Sequence, residues 1–175
     1  MKTLTAQQLK QIYPAASQAN IDRYLPWINR FMAEYRVDTP LRQAAFLGQI
    51  GHESAQLRYV EELASGQDYE GRKDLGNTEP GDGVRFKGRG LIQITGRANY
   101  AALGENFQVD FIANPAMLKE PEWAVRSAFW FWDQKGLNSF ADAGDYITIT
   151  RRINGGTNGL ADRQNLYNNA KMVLQ

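Results

Sequence analysis

The sequence predicts a mainly α-helical domain carrying one small β element, on three observations. Apolar residues recur at spacings of three and four through most of the chain. Helix-starting and helix-stopping residues bracket those runs. A glycine-flanked pair of short β-type runs lies at 84–95, and no repeat, low-complexity tract or linker interrupts the chain.

Thr5-Ala6-Gln7-Gln8 fits a capping box opening a short helix that stops before Pro14. Ile21 to Tyr35 reads as an amphipathic helix with Tyr24, Ile28, Phe31 and Tyr35 on one face, and Pro26 should kink it or mark its true start. Thr39-Pro40 pairs a hydroxyl cap with proline at the first helical position, and the helix it opens is expected to run through Glu53 to about Ala64. Residues 65–83 contain five glycines, a proline and many acids, and form a long loop of the kind that is usually functional. Val84–Phe86 and Leu91–Thr95 read as two strands of a hairpin around Lys87–Gly90. Pro121 to Lys135 is an aromatic-rich helix stopped by Gly136. Tyr146–Thr150 alternates like a strand, and a last helix covers about Ala161 to Val173.

The chain has 175 residues, no cysteine and one histidine, His52. Thiol nucleophiles, redox CxxC pairs, zinc–thiolate sites and disulfides are therefore excluded. Two-histidine metal sites such as HExxH go with them; a Ser–His–Asp triad could still be built around His52, but catalysis leans mainly on carboxylates, hydroxyls, amides and arginines. A net charge of +1 argues against nucleic acid as the main ligand. The charge is nevertheless segmented: residues 53–79 carry seven acids to three bases, between basic stretches at 1–52 and 80–100. No apolar run approaches the roughly 20 residues that span a bilayer. The start, MKTLTAQQLKQIYP, lacks the apolar core and cleavage site of a signal peptide.

Four groups of residues can carry chemistry. Glu53 follows an apolar helix and is flanked by Ile50, Leu57 and Tyr59, a partly desolvated setting that suits a general acid; a surface glutamate on an amphipathic helix is the plainer alternative. Glu61 and Glu62 follow eight and nine positions later. Either could complete a two-carboxylate glycosidase site, but on one straight helix nine residues turn Glu62 to the opposite face. A cooperating pair requires the helix to end or bend between them. In Gly88-Arg89-Gly90-Leu91-Ile92-Gln93-Ile94-Thr95, alternation puts Gln93 and Thr95 on one face, able to hold a water or sugar hydroxyl or simply to face solvent. Arg151-Arg152-Ile153-Asn154-Gly155-Gly156, followed by Asp162-Arg163, is by default a turn.

In order, AAFLGQIGHES at 44–54, DLGNTEPGDG at 74–83, FKGRGLIQITGRANY at 86–100 and INGGTNGLADRQNLY at 153–167 resemble the glycoside hydrolase family 19 chitinase-like lysozymes. The resemblance is nearest to the endolysins of phages that infect Gram-negative bacteria, and it spans nearly the whole chain. It implies a mainly α, lysozyme-like α+β fold with a small β-hairpin beside the active-site cleft, cleaving β-1,4 links in N-acetylated sugar polymers. It makes Glu53 the general acid, Glu62 the carboxylate that activates water, with Glu61 as runner-up, and Thr95 the hydroxyl that positions that water. Gln93, Asn99, Tyr100 and Asn154 match substrate-contacting positions, and Arg163 matches an arginine of the cleft. It also implies helix, not strand, at Tyr146–Thr150. Plant chitinases of the family place the second carboxylate further along and carry disulfides, so Glu62 rests on the endolysin branch.

The expectation is a monomeric peptidoglycan hydrolase acting on glycan strands as an N-acetylmuramidase. It would occupy 1–175 as a single catalytic domain without a separate wall-binding domain, and need no cofactor or metal. It would be made in the cytoplasm of a host bacterium and act in the periplasm, a holin supplying export, with no nucleic acid partner and no stable membrane insertion. The rivals are a chitinase, a lytic transglycosylase and a non-catalytic wall-binding module.

Overall fold

The computed structural model describes residues 3–175. Among them are α1 (Ala6–Ile12), α2 (Gln18–Glu34), α3 (Pro40–Glu53), α4 (Asp82–Arg85), α5 (Arg97–Phe107), α6 (Pro121–Gln134), α7 (Leu137–Asp142), α8 (Tyr146–Asn154) and α9 (Leu160–Leu174), with short 3-10 turns between some of them.

The capping expectations hold. Thr5 and Gln8 form the reciprocal box, and Thr39 accepts from Arg42 N ahead of Pro40. Ser17 caps α2 well upstream of Pro26, which lies inside the helix and does not start it.

The central element is α3, buried continuously from Gln43 to Gly51 and packed chiefly on α9. Gly48 makes that packing possible: a Cβ there would lie 2.5 Å from the Tyr146 hydroxyl, closer than packed atoms approach, and 3.1 Å from the Tyr167 backbone. On the other side, Phe46 stacks on Phe129 of α6 with ring centroids 4.0 Å apart, and Phe129 also meets Phe31 and Tyr35 from α2. These aromatic contacts lock α2, α3 and α6 together behind the end of α3 that carries Glu53.

Three expectations are corrected. Helix α3 ends at Glu53 rather than near Ala64. The Ser54 hydroxyl donates to the Ile50 carbonyl at 2.6 Å and accepts from Leu57 N at 2.9 Å, and Ala55, Gln56 and Leu57 all take positive φ, between 47° and 67°. Each such residue costs on the order of 1 kcal/mol. Burial of Leu57, and hydrogen bonds from Ala15 N to Gln56 Oε1 and from Asn20 Nδ2 to the Leu57 carbonyl, offset that cost. The hairpin does not form: Val84 and Arg85 belong to α4, with Val84 exposed to solvent. What remains is a pair of isolated antiparallel bridges, Glu61 with Arg89 and Arg89 with Ile94. Tyr146–Thr150 is helical, as the resemblance implies and alternation does not; α8 buries Tyr146, Ile149 and Thr150, at helical spacing, and Asp145 caps it.

Candidate active site

Glu53 sits at the C-terminal end of α3, where the chain leaves the core. Arg163, in the first turn of α9, is 1% exposed, and its guanidinium is committed in three directions. Nη2 donates to Glu53 Oε1 at 2.6 Å, Nη1 to Gln49 Oε1 at 2.6 Å, and Nε to the Asn158 carbonyl at 3.0 Å. Gln49, one turn before Glu53, donates to Thr150 Oγ1 at 2.8 Å, and that hydroxyl donates to the Tyr146 carbonyl at 3.0 Å. Glu53 is therefore the solvent-reaching end of a buried relay joining α3, α8 and α9. Its carboxylate is shielded as the sequence suggests, but by a guanidinium rather than by apolar side chains. Arg163 is too buried to touch a substrate itself and reaches the surface only through Glu53.

The left-handed turn at 55–57 brings the chain into an extended segment, so Glu61 and Glu62 point to opposite sides of it. Glu62 holds Gly88 twice: its N–H donates to the Gly88 carbonyl at 2.9 Å, and its Oε2 accepts from Gly88 N at 2.8 Å. The Tyr69 hydroxyl donates to Oε1 at 3.1 Å. Glu61 instead meets Arg89 Nε at 2.7 Å, with Lys119 at 3.5 Å and Lys87 at 3.9 Å. Burial pushes the Glu61 carboxyl up, and Arg89 first, then Lys119 and Lys87, outweigh it and hold the group below the usual carboxylate range.

Gln93 and Thr95 join Glu62 over Gly88. The point where a Gly88 Cβ would stand is 2.8 Å from Gln93 Oε1, 3.1 Å from Glu62 Oε2 and 3.3 Å from Thr95 Oγ1. Thr95 spends its proton on the Gln93 carbonyl at 2.9 Å, and Gln93 Nε2 donates to the Gly90 carbonyl at 2.9 Å. Three acceptor oxygens thus converge on one spot, which suits a ligand with protons to give: a water, a sugar hydroxyl or an amide N–H.

The remaining expected residues stand further back. Asn99 donates to the Thr95 carbonyl at 2.8 Å and fixes that strip from behind. Tyr100 is fully buried, donating to the Lys87 carbonyl at 2.7 Å and accepting from Arg89 at 3.0 Å; burial, only partly countered by Arg89, pushes its pKa up to about 12. It supports the strip and has no surface to offer a sugar. Asn154 closes α8 with its Nδ2 buried and without a hydrogen-bond partner among the described residues. His52 holds Asp162 at 2.7 Å through Nδ1. Among the described residues no cluster of His, Asp or Glu is arranged to hold a metal ion.

Sequence reasoning missed Gln49, Tyr69 and Thr150. Gln49 was within reach, four positions before Glu53 on the same helical face. Tyr69 lies in the long loop with no spacing rule to mark it, and Thr150 was hidden by the strand reading of its segment.

Glu53 is thus clamped to a buried arginine, and Glu62 is held by an amide and a phenol beside the Thr95 hydroxyl, both on a helical scaffold. The family model for glycoside hydrolase family 19, described as chitinase class I, matches residues 42–148, and the chain belongs to that family. It is a glycan hydrolase of that family by the same evidence. A glycosyl hydrolase family 19 domain-containing protein of Haemophilus influenzae is 33% identical over 162 aligned positions, covering 73% of this chain and 77% of that protein. An endochitinase of Arabidopsis thaliana is 39% identical over 114 positions, 65% of this chain but only 39% of that longer protein. In fold, the chain is similar to a bacterial family 19 chitinase with a TM-score of 0.80 at 20% identity, covering 99% of this chain and 95% of that one. Chitinase C from Streptomyces griseus gives 0.79 at 21% identity, covering 98% and 76%.

Proposed function

We propose that this family 19 enzyme is a peptidoglycan hydrolase of the endolysin type, cutting β-1,4 bonds of the bacterial wall glycan as an N-acetylmuramidase. The observation that carries the reading is the pair of separately supported carboxylates, Glu53 on Arg163 and Glu62 on Gly88 and Tyr69, with Thr95 and Gln93 beside the second.

Glu53 donates its proton to the bridging oxygen, and Arg163 stabilises the carboxylate left behind. Thr95 has already given its proton to the Gln93 carbonyl, so its oxygen can only accept. A water between Glu62 and Thr95 therefore gives one hydrogen to each and turns a lone pair outward. As the water attacks the anomeric carbon, Glu62 takes its proton, and the product is inverted. Glu61 is left out because its charge is engaged by Arg89, Lys87 and Lys119. Tyr100 and Asn99 shape the strip, and Arg163 acts through Glu53.

The setting that goes with this reading is host lysis by a phage or prophage enzyme, monomeric, made in the bacterial cytoplasm and acting on the wall with a holin for passage. No helix among the described residues is long and apolar enough to cross a membrane.

A chitinase is the second reading, favoured by the endochitinase relatives and by motifs that both activities share. Parallel digests of purified peptidoglycan and of soluble chitooligosaccharides separate them. Faster turnover of peptidoglycan supports the proposal; release from chitin with intact peptidoglycan overturns it.

A further inference from the structure

The loop at 65–83 is long, yet its own side chains fix its backbone. Glu70 turns its carboxylate back on the loop, accepting from Gly81 N at 2.7 Å and from Gly83 N at 2.8 Å. Asn77, fully buried, donates to the Tyr69 carbonyl at 2.8 Å and accepts from Arg97 N at 2.8 Å, which ties the loop to the start of α5. Asp82, 1% exposed, accepts from Glu79 N at 3.0 Å and takes the Arg97 guanidinium at 2.7 and 2.8 Å. From this frame the Tyr69 side chain reaches out and places its hydroxyl on Glu62 Oε1.

We infer that Tyr69 is a positioning residue for Glu62: the braced loop holds its hydroxyl on Oε1 while Gly88 N–H holds Oε2. The inference rests on reading Glu62 as the base. One donor alone leaves a carboxylate free to swing about its last torsion; a second donor on the other oxygen fixes its plane. Both donors are aimed at the two oxygens of the carboxylate that would take a proton from water.

The other charged or titratable groups facing this pair are Asp68 and Arg72 from the loop, Lys87 at the Glu62 carbonyl, Tyr100 behind, and Glu61 with its partner Arg89. Burial first, and then Glu62, pushes the Tyr69 phenol up, and burial does the same for Tyr100, so both stay neutral through the acid range. Arg72 and Arg89, both raised, stay charged there. Tyr69→Phe leaves all of these groups in place, so a comparison isolates the one hydroxyl.

The test is Tyr69→Phe, which keeps the ring, with kcat and KM followed against pH on peptidoglycan. The expected result is a plateau kcat lower by about 3–10-fold, KM within about twofold, and an acidic limb moved upward by about 0.5–1 pH unit. An acidic limb superimposable on the wild type overturns the inference, and so does a uniform loss at every pH, which is what a merely structural role gives. Denaturation of Tyr69→Phe, Glu62→Gln and the double variant should show a non-zero coupling; strict additivity also overturns it. If Glu62→Gln alone keeps full turnover, the reading of Glu62 as base fails first. If Glu62→Gln is inactive and Tyr69→Phe behaves as wild type, only the role of Tyr69 fails.

Discussion

Arg163 Nη2 lies 2.6 Å from Glu53 Oε1, donated from a side chain that is itself 2% exposed. A charge buried that deeply is stable only when paired and hydrogen-bonded, and Glu53, Gln49 and the Asn158 carbonyl supply those partners. The orientation of Glu53 is thus set from within the core.

Arg163→Ala removes the hub of that relay and leaves Gln49 Oε1 buried and unpaired. Breaking a buried pair costs about 3–5 kcal/mol, and the lower end applies because Glu53 keeps some exposure. Thermal unfolding should show a large fall in Tm and turnover should drop more than tenfold. Arg163→Lys should restore little of either, because an ammonium cannot span the three acceptors at once. A wild-type Tm in Arg163→Ala would contradict the relay.

Gly88→Ala tests the floor of the second carboxylate. Its methyl would stand 2.8 Å from Gln93 Oε1 and 3.1 Å from Glu62 Oε2, so both must move. The backbone there needs no left-handed conformation, and the stability cost should stay within about 1–3 kcal/mol, the range for overpacking. Turnover on peptidoglycan should fall about tenfold or more with the protein still folded. Unchanged turnover would mean that Glu62, Gln93 and Thr95 do not act together.

Glu61 and Glu62 should separate by pH as well as by activity. The folded-state pKa of Glu61 is lowered: burial opposes this, and Arg89, Lys119 and Lys87 outweigh it. A group depressed in the folded state contributes stability above its unfolded pKa of about 4.3, and loses that contribution as pH falls through the lower folded value. Glu61→Gln should therefore lower stability at neutral pH, flatten the acid-side fall in denaturation midpoint, and retain most activity. Glu62→Gln should abolish turnover while the protein stays folded. The reverse assignment would show as an inactive, normally stable Glu61→Gln.

Much of this was legible in the sequence because it depends on local chemistry. Thr5 with Gln8, and Thr39 with Pro40, announce their helices through backbone donors three residues on. The demand that the chain turn between Glu53 and Glu62 follows from helical geometry alone, and the 55–57 turn meets it. The form of that turn was not legible. Ala55, Gln56 and Leu57 have no glycine to advertise positive φ, and partners as distant as Ala15 and Asn20 hold them there. Segment 146–150 misled for a related reason. Its residues are β-branched from Ile147 to Thr150 and alternate in polarity, but contacts with α3 and α9 decide the outcome: Thr150 bonds Gln49, and the Tyr146 hydroxyl bonds the Arg163 carbonyl. The expected hairpin failed because Val84 and Arg85 are taken into α4, which leaves only Arg89 to bridge Glu61 on one side and Ile94 on the other.

The central claim is that Glu53 and Glu62 hydrolyse wall glycan with water as the nucleophile, and mass spectrometry of peptidoglycan digests tests it most directly. Wild-type enzyme should leave N-acetylmuramic acid at hydrated reducing ends, and Glu53→Gln, folded as judged by its Tm, should leave none. Anhydro ends, reducing N-acetylglucosamine ends, or wild-type product from Glu53→Gln would contradict it.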